Sequence, residues 1–181
     1  MFKVRNNIFI EAEFIESPNS SLRPEGTEPS IIVIHNISLP PGEFGTSYIK
    51  DFFTNNLDIT SHSYFQEIKD LKVSSHLLID REGNLVQFVP FSRSAWHAGI
   101  SSFKGKKNCN DFSIGIELEG ADDIPYAENQ YLTLHRVSKS LMESYPKISL
   151  DNIVGHSDIA PDRKSDPGKS FDWNRYKQDL S

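Results

Sequence analysis

Residues 31–34 read IIVI, four consecutive β-branched apolar residues set between Pro29 and the polar pair His35–Asn36. Side chains of this kind are stiff at χ1 and fit a pleated surface. An unbroken run of them has no polar face, so the strand is expected to be covered on both sides and to lie near the centre of a sheet. His35 and Asn36 then fall at its C-terminal end, where strands of layered α/β proteins deliver functional groups. A single histidine in that place is more often a satisfied structural residue than a ligand.

A second strand is expected over residues 110–120, NDFSIGIELEG. Period-two alternation sends Ile114, Ile116 and Leu118 to one face and Ser113, Gly115, Glu117 and Glu119 to the other. Glycine inside a strand often marks close approach by a ligand or another backbone. Glu117 can therefore look across open space at something bound, or both glutamates can be solvated on a half-exposed strand.

The remaining pattern mixes strands with helices. Residues 72–90 read as a hairpin turning at Arg81-Glu82-Gly83, with positive φ expected at Gly83 and His76 packed within the first strand. Tyr131, Leu134, Val137, Leu141 and Tyr145 follow helical spacing over residues 127–145, ahead of Pro146. A short helix carries Ile49, Phe52 and Phe53, and a closing one packs Trp173, Tyr176 and Leu180. Residues 17–29, rich in Pro, Ser, Asn and Glu, read as a surface loop, and residues 104–107 as a basic turn. Trp96 and His97 stand in AWHAG, where the tryptophan is either a wall for a sugar or a lid on the core. Together these elements predict a single α/β (α+β) domain spanning residues 1–181, a length that can bury a sizeable core.

A formal net charge of −6 argues against sequence-independent nucleic-acid binding, which needs a basic face. Cys109 is the only cysteine, so neither an intrachain disulfide nor a multi-cysteine zinc knuckle can form. Glu11, Glu13 and Glu16 interrupt the apolar residues of the N-terminus where a signal peptide needs an uncharged run. No stretch approaches the roughly 20 apolar residues of a membrane span. The cytoplasm is the expected location, with no membrane or nucleic-acid partner and no obligatory protein partner evident.

Residues 155–168, GHSDIAPDRKSDPG, concentrate His156, Asp158, Asp162, Arg163, Lys164 and Asp166 in one loop. Pro167 biases the backbone of Asp166 towards an extended conformation. Such a cluster is by default a solvated connection. With His35 it can also complete a metal site, since zinc takes imidazole nitrogen and carboxylate oxygen, and catalytic sites use three protein ligands. The donors are scattered and form no compact motif, so spacing alone does not establish the set.

VIHNISLPPGEFG, HLLIDREGNLVQFVPF, AWHAG, CNDFSIGIELEG and GHSDIAPDRKSDPG, followed by FDW, resemble in order the zinc-dependent N-acetylmuramoyl-L-alanine amidases. Within that family they are similar to the cytoplasmic branch acting on 1,6-anhydro-muropeptides. The resemblance covers nearly the whole chain. It implies the fold shared with peptidoglycan recognition proteins and phage amidase endolysins, a central mixed β-sheet flanked by helices. It implies one catalytic zinc ion held by His35, His156 and Asp166, with Glu117 as catalytic acid/base and Lys164 offsetting charge on the oxyanion. It also implies substrate contacts at Asn36, Lys72, Ala95, Trp96 and Arg163. Lys72 and Asn108 stand where relatives often carry arginine, and lysine cannot form arginine's planar fork on a carboxylate. The implied substrate is a small anhydro-muramyl peptide, cut between the lactyl group and L-alanine. A non-catalytic peptidoglycan-binding module is the alternative from another class. The complete ligand set with Glu117 and Lys164 argues against it. An enzyme acting on intact wall would keep the chemistry and change the partner.

Overall fold

The computed structural model describes residues 2–178 and 180. In chain order its strands are β1 (Val4–Arg5), β2 (Ile8–Phe9), β3 (Glu13–Phe14), β4 (Ser20–Leu22), β5 (Ile31–Ile37), β6 (Leu77–Ile79), β7 (Leu85–Gln87), β8 (Arg93–Ala95), β9 (Ser102–Phe103), β10 (Lys106–Lys107), β11 (Ser113–Glu119) and β12 (Ile153–Gly155). Its helices are α1 (Tyr48–Phe53), α2 (Phe65–Ile68), α3 (Glu128–Ser144), α4 (His156–Ile159) and α5 (Trp173–Gln178).

Six strands form one sheet in the order β12-β5-β11-β6-β7-β3. β12, β5, β11 and β6 run parallel, β7 is antiparallel to β6, and β3 is parallel to β7, so the sheet is mixed. Ile31, Ile32, Val33 and Ile34 are each at most 1% exposed. Ile32 and Ile34 join Ile114, Ile116 and Leu118 in a core beneath Leu134, Val137 and Leu141 of α3. Ile31 and Val33 face the other way, into a cluster with Ala98, Phe112 and Ile159. A third cluster on that second side packs Leu78 and Val86 against Ile49, Phe52 and Phe53 of α1 and Phe65 and Ile68 of α2. The run of β-branched residues thus supplies two cores at once.

β11 alternates as its sequence suggests but is buried at all seven positions. The half-exposed alternative is corrected: β11 is hydrogen-bonded to β5 on one side and β6 on the other, and both of its faces are covered. The hairpin forms as expected, β6 against β7 with Gly83 at φ +86° between them. α3 runs one residue inside each predicted end, and Gln130 Oε1 accepts the Ala127 N–H at its start. α5 stops before Leu180.

Two N-terminal segments add to or depart from the sequence reading. β1 and β2 form a hairpin whose two-residue turn, Asn6–Asn7, has positive φ at both positions. Asparagine tolerates that conformation better than most residues, so the Asn-Asn dipeptide was the available signal. Residues 17–29 are only partly a surface loop. Ser17 and Asn19 are buried; Ser17 Oγ donates to the Phe53 carbonyl (2.5 Å), and Asn19 Nδ2 to the Val73 carbonyl (2.8 Å). The Arg23 guanidinium donates to the carbonyls of Phe91, Asn110, Asp111 and Ser113. Burial lowers its pKa to about 10. These polar side chains satisfy backbone acceptors inside the molecule, so their composition resembles that of a solvated loop.

Candidate active site

The strand order decides which side chains meet. β5 lies between β12 and β11, and Ile34 is register partner of Gly155, so His156 follows level with His35 on one side. On the other side Glu117 is the register partner of His35. In a parallel pair register partners project from the same face, with strands about 4.8 Å apart. One end of the parallel core thereby carries His156, His35 and Glu117 in a row.

The loop after α4 brings Asp166 to that row. Ser157 N–H donates to the Asp166 carbonyl (3.0 Å), while Asn36 Nδ2 (3.1 Å) and the Tyr126 hydroxyl (2.7 Å) donate to the Pro167 carbonyl. His35 Nδ1, His156 Nδ1 and Asp166 Oδ2 form a nearly equilateral triangle with edges of 2.9, 2.9 and 3.1 Å.

Protonation states suit a cation there. His156 Nε2 lies 3.1 Å from the Ala98 carbonyl, which can only accept; a proton therefore sits on Nε2, and in the neutral ring Nδ1 is the nitrogen that offers a lone pair. Burial lowers the His35 pKa to about 4, leaving the ring neutral. Burial opposes ionisation of Asp166, yet the neighbouring His156 and His35 outweigh it and hold the carboxyl below its usual range. Two imidazoles and a carboxylate are the donor types that a metal ion requires. Among the described residues these three form a group able to hold one.

Glu117 is 8% exposed, and its Oε2 is shielded from solvent with no hydrogen-bond partner. Burial, reinforced by the Asp166 charge and opposed by Lys164, pushes its pKa well above the carboxylate range. A buried orphaned carboxylate is costly, and a perturbed group facing a cleft is the mark of a working site. Lys164 is exposed at the same cleft and carries the opposing charge.

The cleft holds about 570 Å³. One end is polar, with the three donors, Glu117, Arg163 and Lys164; the other is lined by Leu39, Phe52, Tyr64 and Ile68. Asn36 and Trp96 also line it. Asn36 is engaged through Nδ2 with Asp122 (2.7 Å), and Arg163 Nη2 donates to the carbonyls of Ala98 (2.7 Å) and Ile100 (3.1 Å). Ala95 is fully buried behind the wall, and Lys72 lies on an adjoining smaller hollow with Asn55 and Leu57.

Gly115 does not leave room for a ligand. A Cβ there would stand 2.5 Å from Cγ of His97, so the glycine seats that ring. Nothing in the sequence pattern gives His97 a role; the glycine in β11 was the one hint that something approaches closely. Its Nδ1 lies 2.8 Å from His35 Nε2 and its Nε2 lies 2.8 Å from Ser113 Oγ. Behind it His76 is packed as expected, accepting the Gly115 N–H at Nδ1 (3.0 Å) and held neutral by burial and by Arg23, with its pKa near 3.

Glu119 is 2% exposed and fully engaged: Oε1 accepts the Gly45 N–H (2.6 Å) and Oε2 the Arg81 N–H (3.2 Å). It ties the loop after β5 to the β6–β7 hairpin. Glu119→Ala is expected to lower stability by about 1–3 kcal/mol, the cost of an unsatisfied buried donor. In a chain of this size that is roughly 2–12 °C in Tm. Differential scanning fluorimetry checks it, and an unchanged Tm would remove the tie.

The mixed sheet and the His/His/Asp triangle beside a buried carboxylate define an α/β protein with the donor set of a metallohydrolase. The N-acetylmuramoyl-L-alanine amidase family model matches residues 25–169, and the chain belongs to that family. It is 52% identical over 168 residues to the 1,6-anhydro-N-acetylmuramyl-L-alanine amidase AmpD of Salmonella typhimurium, covering 93% of this chain and 89% of that one. A crystal structure of a selenomethionine AmpD derivative superposes with a TM-score of 0.96 at 49% identity, over 99% of both chains. The Escherichia coli amidase AmiD in complex with anhydro-N-acetylmuramic acid-L-Ala-D-γ-Glu-L-Lys superposes with a TM-score of 0.60 at 31% identity, over 87% of this chain and 60% of that one.

Proposed function

We propose that the chain acts as one amidase domain on 1,6-anhydro-muramyl peptides, hydrolysing the amide between the lactyl group and L-alanine during recycling of cell-wall fragments in the cytoplasm. The observation that carries this reading is the donor triangle of His35, His156 and Asp166 opening on the same cleft as the orphaned Glu117 carboxylate. The names of its relatives supply the substrate class. No helix among the described residues is long and apolar enough to cross a membrane.

Zinc held by the three donors would supply Lewis-acid polarisation of the scissile carbonyl and acidify the attacking water. Glu117 takes the proton of that water and returns it to the leaving amine; burial raises its pKa above the carboxylate range, which favours holding the proton until the amine leaves. Lys164 places a positive charge at the same cleft, where negative charge develops on the carbonyl oxygen. Asn36, Trp96 and Arg163 contact the substrate at the cleft wall, and Ala95 and Lys72 support the adjoining stretch.

Incubating the purified protein with anhydro-muropeptides and, separately, with intact sacculi, each with and without chelator, tests the reading by mass spectrometry of products. The expected result is chelator-sensitive release of free peptide and anhydro-sugar, with soluble fragments turned over far faster than sacculi. Equal rates on both would favour an enzyme of the intact wall. No release from either would overturn the activity.

A further inference from the structure

We propose that His97 is a positioning residue: its Nδ1 accepts the Nε2–H of His35 and fixes that ring in the tautomer that turns the Nδ1 lone pair towards His156 and Asp166. The proposal rests on the metal centre described above and reaches a residue outside the donor triangle.

The geometry is specific. The rings of His35 and His97 meet edge to face with centroids 4.9 Å apart and an interplanar angle of 84°, and the nitrogens are 2.8 Å apart. Two imidazoles sharing one hydrogen bond need opposite roles at the facing nitrogens. Ser113 Oγ, 2.8 Å from His97 Nε2, supplies the acceptor that lets His97 carry its proton on Nε2 and present a lone pair at Nδ1. His35 must then donate from Nε2, leaving Nδ1 bare.

The backbone around His97 is held as firmly as the ring. The N–H groups of His97 and Ala98 both donate to Asn110 Oδ1, at 3.1 and 2.8 Å. The next carbonyl, Ala98 O, accepts the Nε2–H of His156. One dipeptide therefore orients both imidazoles, His35 through a side chain and His156 through a main-chain oxygen. Ring nitrogens opposite a metal are commonly fixed by outer partners of these kinds. β11 accommodates the arrangement by placing glycine at 115, where any Cβ would collide with the His97 ring. Glycine inside a strand costs roughly 0.5–1 kcal/mol relative to alanine, so the seat carries an energetic cost of its own.

The test compares H97F, which keeps an aromatic ring over Gly115 but has no acceptor, with H97N, whose Oδ1 can stand where Nδ1 stood. Zinc affinity is measured by chelator competition, and unfolding temperature on the metal-free proteins. The expected result is a loss of about 10–100-fold in zinc affinity for H97F. H97N should recover most of it, whatever the two unfolding temperatures do. Parental affinity in folded H97F, or equal losses in both variants tracking their unfolding temperatures, would overturn the role. Should H97F fail to fold, the zinc-loaded parent decides the matter. A scalar coupling between ¹⁵N-labelled His35 Nε2 and His97 Nδ1 reports the shared hydrogen bond, and its absence would sink the proposal. Both readouts concern metal binding and ring contacts, so they stand even if the amidase activity fails its own test.

Discussion

Glu117→Ala is expected to lower kcat by about 10²–10⁴ while the protein keeps its fold and one equivalent of zinc. The carboxylate touches none of the three donors through a hydrogen bond, and Oε2 has no partner at all, so its removal breaks no structural contact at that oxygen. Its raised pKa shows that folding works against its ionised form rather than for it. Tm should therefore stay level or rise, the sign of a group retained for chemistry at the expense of stability. Glu119, two residues on along the same strand, should show the opposite pattern, because both of its oxygens are engaged by backbone amides. Measuring kcat, bound metal and Tm for both variants separates the two roles. Zinc lost from the Glu117 variant, or a larger kcat loss at Glu119, would reverse the assignment.

Asp166→Ala should abolish activity and weaken zinc binding by more than the roughly 10–100-fold typical of outer partners. Asp166 supplies the only carboxylate of the triangle, and without it two imidazole nitrogens 2.9 Å apart would hold a divalent cation alone. Its Oδ2 also lies 2.9 and 3.1 Å from the two ring nitrogens, on the cleft side. Chelator competition with paired turnover assays checks this. A variant that kept stoichiometric zinc and near-normal turnover would place the ligand set elsewhere.

The sequence made the centre of the sheet legible because burial leaves a local mark. Residues 31–34 have no polar face, the β11 alternation places Glu117 and Glu119 together, and the β6–β7 turn needs a glycine. The helical period of α3 was readable for the same reason. What stayed hidden was polar and non-local. Arg23 and Asn19 look like loop residues until the carbonyls they serve are seen, since a buried donor with satisfied bonds has the same composition as a solvated one. His97 and Gly115 explain each other, but only once β11 and the loop after β8 are side by side. The donor triangle joins positions 35, 156 and 166, a separation that no local pattern spans, and family resemblance was needed to select them. The two amide partners of Glu119 come from segments whose approach only the fold determines.

The distribution of donors along the chain also sets an order in time. During synthesis, which delivers N-terminal segments first, His35 and the glutamate of β11 emerge long before His156 and Asp166. The strand that brings His156 alongside β5 pairs with residues about 120 positions earlier in the chain. A nascent or prematurely terminated chain ending before residue 156 thus exposes a single histidine of the triangle, too little to capture a divalent cation there. The group able to hold a metal ion is consequently complete only once the last strand has docked.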